Sequence, residues 1–114
     1  MAPPSSLAIA TSVVQRLVKE EASYHKELEK QEARLQQTQA SDDGDENKEY
    51  QLKQERAAIE ETKRVFPPLR QRILEAVQRL EDGLQEEQAK GDVPSDEVAK
   101  AEEVIQSAKV ATTS

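Results

Sequence analysis

The stretch that best predicts the fold is VVQRLVKEEASYHKELEKQEAR, residues 13–34. It forms the centre of a heptad pattern that runs from residue 7 to residue 38 without a proline or a glycine. One seam position holds Leu7, Val14, Glu21, Leu28 and Leu35, and the other holds Ala10, Leu17, Tyr24, Gln31 and Thr38. A mostly apolar pattern of this kind is typical of one long helix. At 1.5 Å per residue, about 33 residues would make a helix about 50 Å long, so we expect an elongated bundle with other helices along this one.

A second heptad pattern follows, with Pro67 and Pro68 at its centre. Its seam positions are Leu52, Ile59, Phe66, Ile73 and Leu80. Each proline removes a backbone donor and crowds the carbonyl four residues earlier, so either a loop joins two helices here or one kinked helix passes through. We favour the kinked helix, because the seven-residue spacing continues through both prolines.

Two turns, ASDDGDEN at residues 40–47 and AKGDVPSDE at residues 89–97, separate three predicted helices. The third helix has a weaker apolar stripe, made of Val98, Ala101, Ile105 and Ala108. We therefore predict an all-α fold, an elongated antiparallel three-helix bundle with up-down-up order, in a single domain over residues 1–114. The expected bounds are about 6–39 for helix 1, about 46–87 for helix 2 and about 95–111 for the shorter helix 3, with frayed ends at 1–5 and 112–114.

Antiparallel packing about the first turn also predicts which residues meet. Seam partners should have numbers that sum to about 87, as Leu28 with Ile59 and Leu17 with Leu69 do. A short helix 3 covers only the half of the bundle with residues 7–17 and 69–84. The other half, residues 21–38 and 52–62, would be a two-helix hairpin whose apolar side chains lack a third wall. A partner or a second copy of the chain could cover them.

Composition and charge exclude several classes of protein. The net charge is −7, with 34% charged residues, 3% aromatic residues and no cysteine, so neither disulfides nor thiol chemistry are expected. The acidic excess lies in residues 40–49 and 91–114, which makes nucleic acid an improbable partner. The start, MAPPSSLAIATS, does not resemble a signal peptide, and no apolar run is long enough to span a membrane. We expect a soluble cytoplasmic protein without a membrane partner.

The sequence offers little for catalysis or for binding a metal. His25 is the only histidine, and its neighbours Glu21 and Glu29 are too few to complete a metal site, so a solvated helix face is favoured. The first turn begins like a calcium-binding EF-hand loop, but Lys48 and Gln54 stand where that motif requires glycine and glutamate. We therefore expect no catalytic residues, no metal site and no cofactor.

Two features are candidates for contacts with a partner. Lys63, Arg64, Arg70 and Arg72 follow one another with no acidic residue between them, and form either a solvated helix flank or a patch for an acidic partner. Glu21 lies on the seam opposite Phe66. Either the kink lets its carboxylate reach water, or Glu21, Tyr24 and an exposed edge of Phe66 belong to a binding surface.

Three segments together resemble the tubulin-binding cofactor A family. They are residues 13–34, EYQLKQE at 49–55 and ETKRVFPPL at 61–69, and the resemblance covers about Val13 to Leu80. It implies a three-helix bundle that binds β-tubulin released from the cytosolic chaperonin and holds it before the α/β heterodimer is assembled. It also implies a cytoskeleton-associated protein in the cytoplasm that acts without catalysis, nucleotide or metal.

With that partner in view, the predicted contact surface uses outward residues of helices 1 and 2. The candidates are Arg16, Lys19, Glu20, Glu21, Tyr24, Glu27, Glu32, Lys63, Arg64, Pro67, Arg70 and Arg72. Other tubulin-folding cofactors are further candidate partners, and the chain itself is expected to be a monomer or a weak homodimer. The alternative function is a structural coiled-coil adaptor that self-associates through the hairpin of helices 1 and 2.

Overall fold

Three α-helices make up the fold in the computed structural model, which describes residues 4–41, 46–91 and 93–113. They are α1 (Ser6–Ala40), α2 (Glu46–Lys90) and α3 (Ser95–Thr113). No strand occurs in these three ranges, so the all-α, three-helix prediction is confirmed. Helices α2 and α3 continue past their predicted ends at residues 87 and 111. The up-down-up order and the single domain stay predictions.

The ends of the helices follow ordinary capping rules. Ser5 caps α1, because its Oγ accepts a hydrogen bond from the Ala8 N–H at 3.0 Å. Acidic residues in the first turns of α2 and α3 face the positive ends of the helix dipoles. Gly91 follows α2 with φ at 73°, a left-handed conformation that glycine adopts without steric cost. At the end of α1, the Lys48 ammonium donates to the carbonyl oxygens of Gln39 and Ser41.

Helix α2 passes through Pro67 and Pro68 without a break. The alternative of a loop between two helices is therefore wrong, although each proline costs an isolated helix about 3 kcal/mol. Burial explains the continuity: Phe66 before the prolines and Leu69 after them are 8% and 3% exposed, while both prolines face solvent. The kink itself stays a prediction.

The chain forms two compact units, the first of which contains parts of all three helices. This three-helix unit consists of the described residues up to Glu21 and from Leu69 onward. Thr11 and Glu21 are buried in it, and its apolar core is supplied by Leu7, Val14, Leu17, Leu69, Ile73, Ala76, Val77, Leu80, Leu84, Ala101, Val104, Ile105 and Ala108. Val104 belongs to this core, whereas Val98, which the sequence pattern favoured, is only half-buried.

The second unit, Ala22–Pro68, contains parts of α1 and α2 but no residue of α3. In this two-helix unit the buried side chains are Thr38, Ile59, Thr62 and Phe66. Leu28, Leu35 and Leu52 are only half-buried, although all three occupy predicted seam positions. The predicted hairpin without a third helix is therefore present in the described part of this unit.

Contacts in the two-helix unit show that its helices are antiparallel. Tyr24 packs against Phe66, and the Thr38 hydroxyl donates to Glu55. The residue numbers of these pairs sum to 90 and 93 rather than to the predicted value of about 87. Helical side chains lean toward the N-terminus of their own helix, so in an antiparallel pair the residues that touch have higher numbers than those whose backbones are opposite.

Candidate partner-binding surfaces

The predicted contact residues of the three-helix unit differ in how accessible they are. Arg16, Lys19 and Arg72 are exposed, while Glu20 and Arg70 are half-buried. The charges of these five residues are therefore available to a partner, unlike that of Glu21. Whether these residues contact a partner stays a prediction.

Glu21 is buried in the three-helix unit, with only 2% of its side chain exposed. The Arg70 Nε donates to its Oε2 at 3.4 Å, and the arginine side chain is 32% exposed. A carboxylate removed from water needs such a partner, because an unpaired buried charge is strongly destabilising. The expectation that the Glu21 carboxylate reaches water is thus wrong, and Glu21 offers no accessible surface for direct contact.

A groove between α1 and α3 lies in the same unit. It holds about 200 Å³ and is lined by Gln15, Val18, Lys19, Glu103, Val104 and Ser107. Of the predicted contact residues, Lys19 is the one in this lining. Sequence reasoning missed the groove, because it depends on which face of α3 packs against α1.

In the two-helix unit, Phe66 belongs to an aromatic cluster with Tyr24 and His25 and does not expose an edge to solvent. Phe66 is 8% exposed, and the half-buried Tyr24 packs edge-on against it with ring centroids 6.5 Å apart. The His25 ring is tilted by 30° relative to the Phe66 ring, with centroids 4.5 Å apart. His25 is half-buried, so its assignment to a solvated helix face is wrong, and so is the exposed edge of Phe66.

The remaining predicted contact residues of the two-helix unit are exposed. They are Glu27, Glu32, Lys63, Arg64 and Pro67. Lys63 lies 3.9 Å from Glu60, one helical turn earlier, and both side chains are more than half exposed. An exposed pair of this kind contributes little to stability, so it leaves Lys63 available for another partner.

Polar side chains interrupt the seam of the two-helix unit. Thr38 donates its hydroxyl to Glu55 Oε1 at 2.8 Å, and Gln31 donates its amide to Glu27 at 3.4 Å. Two acceptors in this seam, Glu55 Oε2 and Gln31 Oε1, are buried and have no donor among the described residues. The heptad pattern places Gln31 and Thr38 on the seam, but it does not show which seam oxygens lack a donor among the described residues.

The described ranges contain neither a cluster of metal ligands nor a membrane-spanning helix. Within residues 4–41, 46–91 and 93–113, no group of three His, Cys, Asp or Glu side chains could hold a metal ion. Asp43 and Asp45 of the EF-hand-like turn lie outside these ranges. Over the same ranges, no helix is both long enough and apolar enough to cross a membrane.

Comparisons with known proteins agree with one another. The family model described as Tubulin binding cofactor A matches residues 2–105. Tubulin-specific chaperone A of Saccharomyces cerevisiae is 32% identical over 106 residues, which is 91% of this chain and 97% of the relative. Tubulin-specific chaperone A of Mus musculus is 30% identical over 91% of each chain. A solved structure titled RBL2P, β-tubulin binding post-chaperonin cofactor, superposes with a TM-score of 0.79 at 31% identity, covering 96% of this chain and all of that one.

Proposed function

The chain belongs to the tubulin binding cofactor A family, and we propose that it binds β-tubulin after release from the chaperonin and stabilises it until the α/β heterodimer is assembled. The observation that carries this proposal is the solved relative, whose title names β-tubulin binding and whose fold extends over nearly the whole chain. The role needs no chemistry on the substrate. Binding alone keeps a folding subunit from exposing surface that would otherwise aggregate.

Exposed charges on α1 and α2 support a contact made by helix faces. In the two-helix unit we assign it to Glu27, Glu32, Lys63 and Arg64, together with the accessible part of Tyr24 and Pro67. In the three-helix unit we assign it to Arg16, Lys19, Glu20, Arg70 and Arg72. Charged groups at the rim of an interface mainly steer encounter and select the partner, which suits a protein that must distinguish one tubulin subunit from another.

Glu21 has a different role in this proposal because its side chain is buried. Its carboxylate accepts from Arg70 Nε and so holds the guanidinium at the surface of the three-helix unit. Glu21 is therefore proposed as a positioning residue for Arg70, and its removal would affect a partner only through that arginine.

The direct test is a native gel of the purified chain with free β-tubulin, and with α-tubulin as the control. We expect a discrete one-to-one species with β-tubulin and none with α-tubulin. Folded β-tubulin that migrates unchanged would contradict the proposal. Equal shifts with both subunits would contradict its specificity.

The half-buried leucines of the two-helix unit favour a second candidate function, self-association as a coiled-coil adaptor. Leu28, Leu35 and Leu52 would then be covered by a second copy of the chain. Sedimentation velocity over a range of concentrations separates the two candidates. A dimer that Leu28→Asp splits, combined with no binding of β-tubulin, would favour the adaptor.

The remaining features of the proposal follow from the family. A tubulin-binding chaperone meets its partner in the cytoplasm, and we place the chain there with it. We also propose that it acts without catalysis or cofactor, and that other tubulin-folding cofactors are its further partners.

A further inference from the structure

The two adjacent prolines of α2 change the hydrogen bonding of the backbone before them. In an α-helix each carbonyl oxygen accepts from the N–H four residues later, and in a tighter helical turn it accepts from the N–H three residues later. Pro67 and Pro68 lie inside α2 and have no N–H. The Arg64 carbonyl therefore lacks both of these donors. The Lys63 carbonyl lacks only the first, because Phe66 still has an N–H.

The Arg64 carbonyl lies on the outer face of the two-helix unit. A helical carbonyl points toward the residues three and four positions later, and here those residues are the two exposed prolines. Lys63 and Arg64 are exposed as well, while Phe66 is buried on the opposite face of α2. Carbonyls on the solvent side of a helix tilt outward. This oxygen is therefore accessible to a donor outside the chain.

Packing within the chain does not explain why two prolines stand at this place. Pro67 and Pro68 are both exposed, and proline is the least favourable residue in the interior of a helix. Almost any other residue at these exposed positions would make α2 more stable. A residue that breaks a local folding rule without a compensating contact in its own chain indicates a functional site.

We propose that the Arg64 carbonyl accepts a hydrogen bond from the tubulin subunit. The inference rests on the proposed function, because Lys63, Arg64 and Pro67 belong to the contact assigned there, and it names one backbone atom within that contact. The cationic side chains of Lys63 and Arg64 disfavour an ammonium or guanidinium group on the partner, since like charges at an interface repel. The donor is therefore an uncharged N–H or O–H group.

The test replaces each proline separately and titrates the full chain with free β-tubulin. Pro68→Ala restores the N–H four residues after Arg64, so the carbonyl is then occupied within the helix. Pro67→Ala restores the donor of Lys63 instead. Each variant keeps one proline and so keeps one cause of a kink. We expect Pro68→Ala to weaken binding roughly fivefold, as for the loss of one hydrogen bond to an uncharged donor, and Pro67→Ala to have a smaller effect.

Two controls separate the carbonyl from the proline ring and from the general effect of removing a proline. A full chain assembled by peptide ligation with N-methylalanine at position 68 lacks both the ring and the N–H, so it should bind as tightly as wild type. Pro94→Ala removes an exposed proline of the three-helix unit and should leave the affinity unchanged.

Thermal unfolding of the free chain supplies a second readout. Pro68→Ala should raise the unfolding temperature, because the helix regains a backbone donor and loses a steric clash. A proline that served only the fold would lower both stability and affinity when replaced. A gain in stability combined with a loss of affinity would show that Pro68 serves binding.

Several outcomes would overturn the inference. Wild-type affinity of Pro68→Ala would remove the hydrogen bond and leave the proposed function intact. Equal losses from Pro67→Ala and Pro68→Ala would show that the partner recognises the shape of the helix rather than the carbonyl. An N-methylalanine chain that binds as weakly as Pro68→Ala would assign the contact to the proline ring. Failure of wild type to bind β-tubulin would contradict the proposed function itself.

Discussion

The three-helix unit and the two-helix unit share α1 and α2, yet they bury equivalent seam side chains to different depths. In the three-helix unit Val14, Ile73 and Leu80 are fully buried, at 0% exposure. In the two-helix unit Leu28 and Leu35 occupy equivalent heptad positions and remain half-buried. The difference is the presence of α3, whose Ala101, Val104, Ile105 and Ala108 are buried in the first unit. A heptad pattern therefore predicts a seam, but the depth of burial depends on whether a third helix covers it.

The two units also differ in their polar seam residues. The buried carboxylate of Glu21 has an arginine partner, whereas Glu55 has a threonine hydroxyl and a second oxygen without a donor in the described residues. Fully buried apolar side chains and a paired carboxylate suit a permanent core. Half-buried leucines and unsatisfied acceptors suit a surface that is completed by a partner.

The largest expected effect is a difference in stability between matched leucine substitutions. Leu80→Ala should cost about 3 kcal/mol of unfolding free energy, because it leaves a cavity in a fully buried site. Leu28→Ala should cost about 1 kcal/mol, because its side chain is half-buried and water can fill the space. Urea denaturation followed by far-UV circular dichroism measures both. Equal costs would show that the two units bury their seams to the same depth.

Periodicity explains how much of the fold could be predicted. The helices and the continuity of α2 past Pro67 and Pro68 follow from apolar spacing, which is a local property of the sequence. The lack of a third helix beside residues 22–68 follows from the shortness of α3. Periodicity does not predict that Val104 rather than Val98 is buried in the core, because the apolar stripe of α3 is weak and allows more than one face of the helix to pack inward.

The candidate surfaces were harder to predict for a physical reason. Which side chains meet across a seam depends on their length and on their lean toward the N-terminus. For that reason Phe66 contacts Tyr24 and His25, and Glu21 reaches Arg70. Charge runs in the sequence predicted exposure correctly for Lys63, but they do not show which charges a partner uses.

A second, smaller effect on the unfolding free energy tests how the carboxylate of Glu21 is stabilised in the three-helix unit. Arg70→Met should cost about 2 kcal/mol, less than a fully buried pair would, because the arginine is about a third exposed. Adding Glu21→Leu to that variant should restore most of the loss, since no buried charge is then left alone. Thermal unfolding of the single and double variants measures the coupling.

The control for this pair comes from the other unit. Thr38→Val removes the one donor that Glu55 has among the described residues. It should cost about 1 kcal/mol of unfolding free energy, because a neutral donor is lost and the carboxylate can turn toward water.

A double variant of Glu21 and Arg70 that stays as unstable as Arg70→Met would contradict the pairing of Glu21 with Arg70.

The smallest expected effect is on affinity and concerns exposed charges. Reversing Lys63 and Arg64 of the two-helix unit to Glu should weaken binding of β-tubulin about fivefold, with a larger loss at low salt. The matched control reverses Arg79 and Lys100, two exposed residues of the three-helix unit outside the predicted contact set. It changes the net charge equally, so a general repulsion would weaken both variants alike. A loss confined to Lys63 and Arg64 would place the basic contact on the two-helix unit, because only a local interaction distinguishes two variants of the same charge. Equal losses would show that the basic residues act only through long-range attraction and do not mark the site of contact.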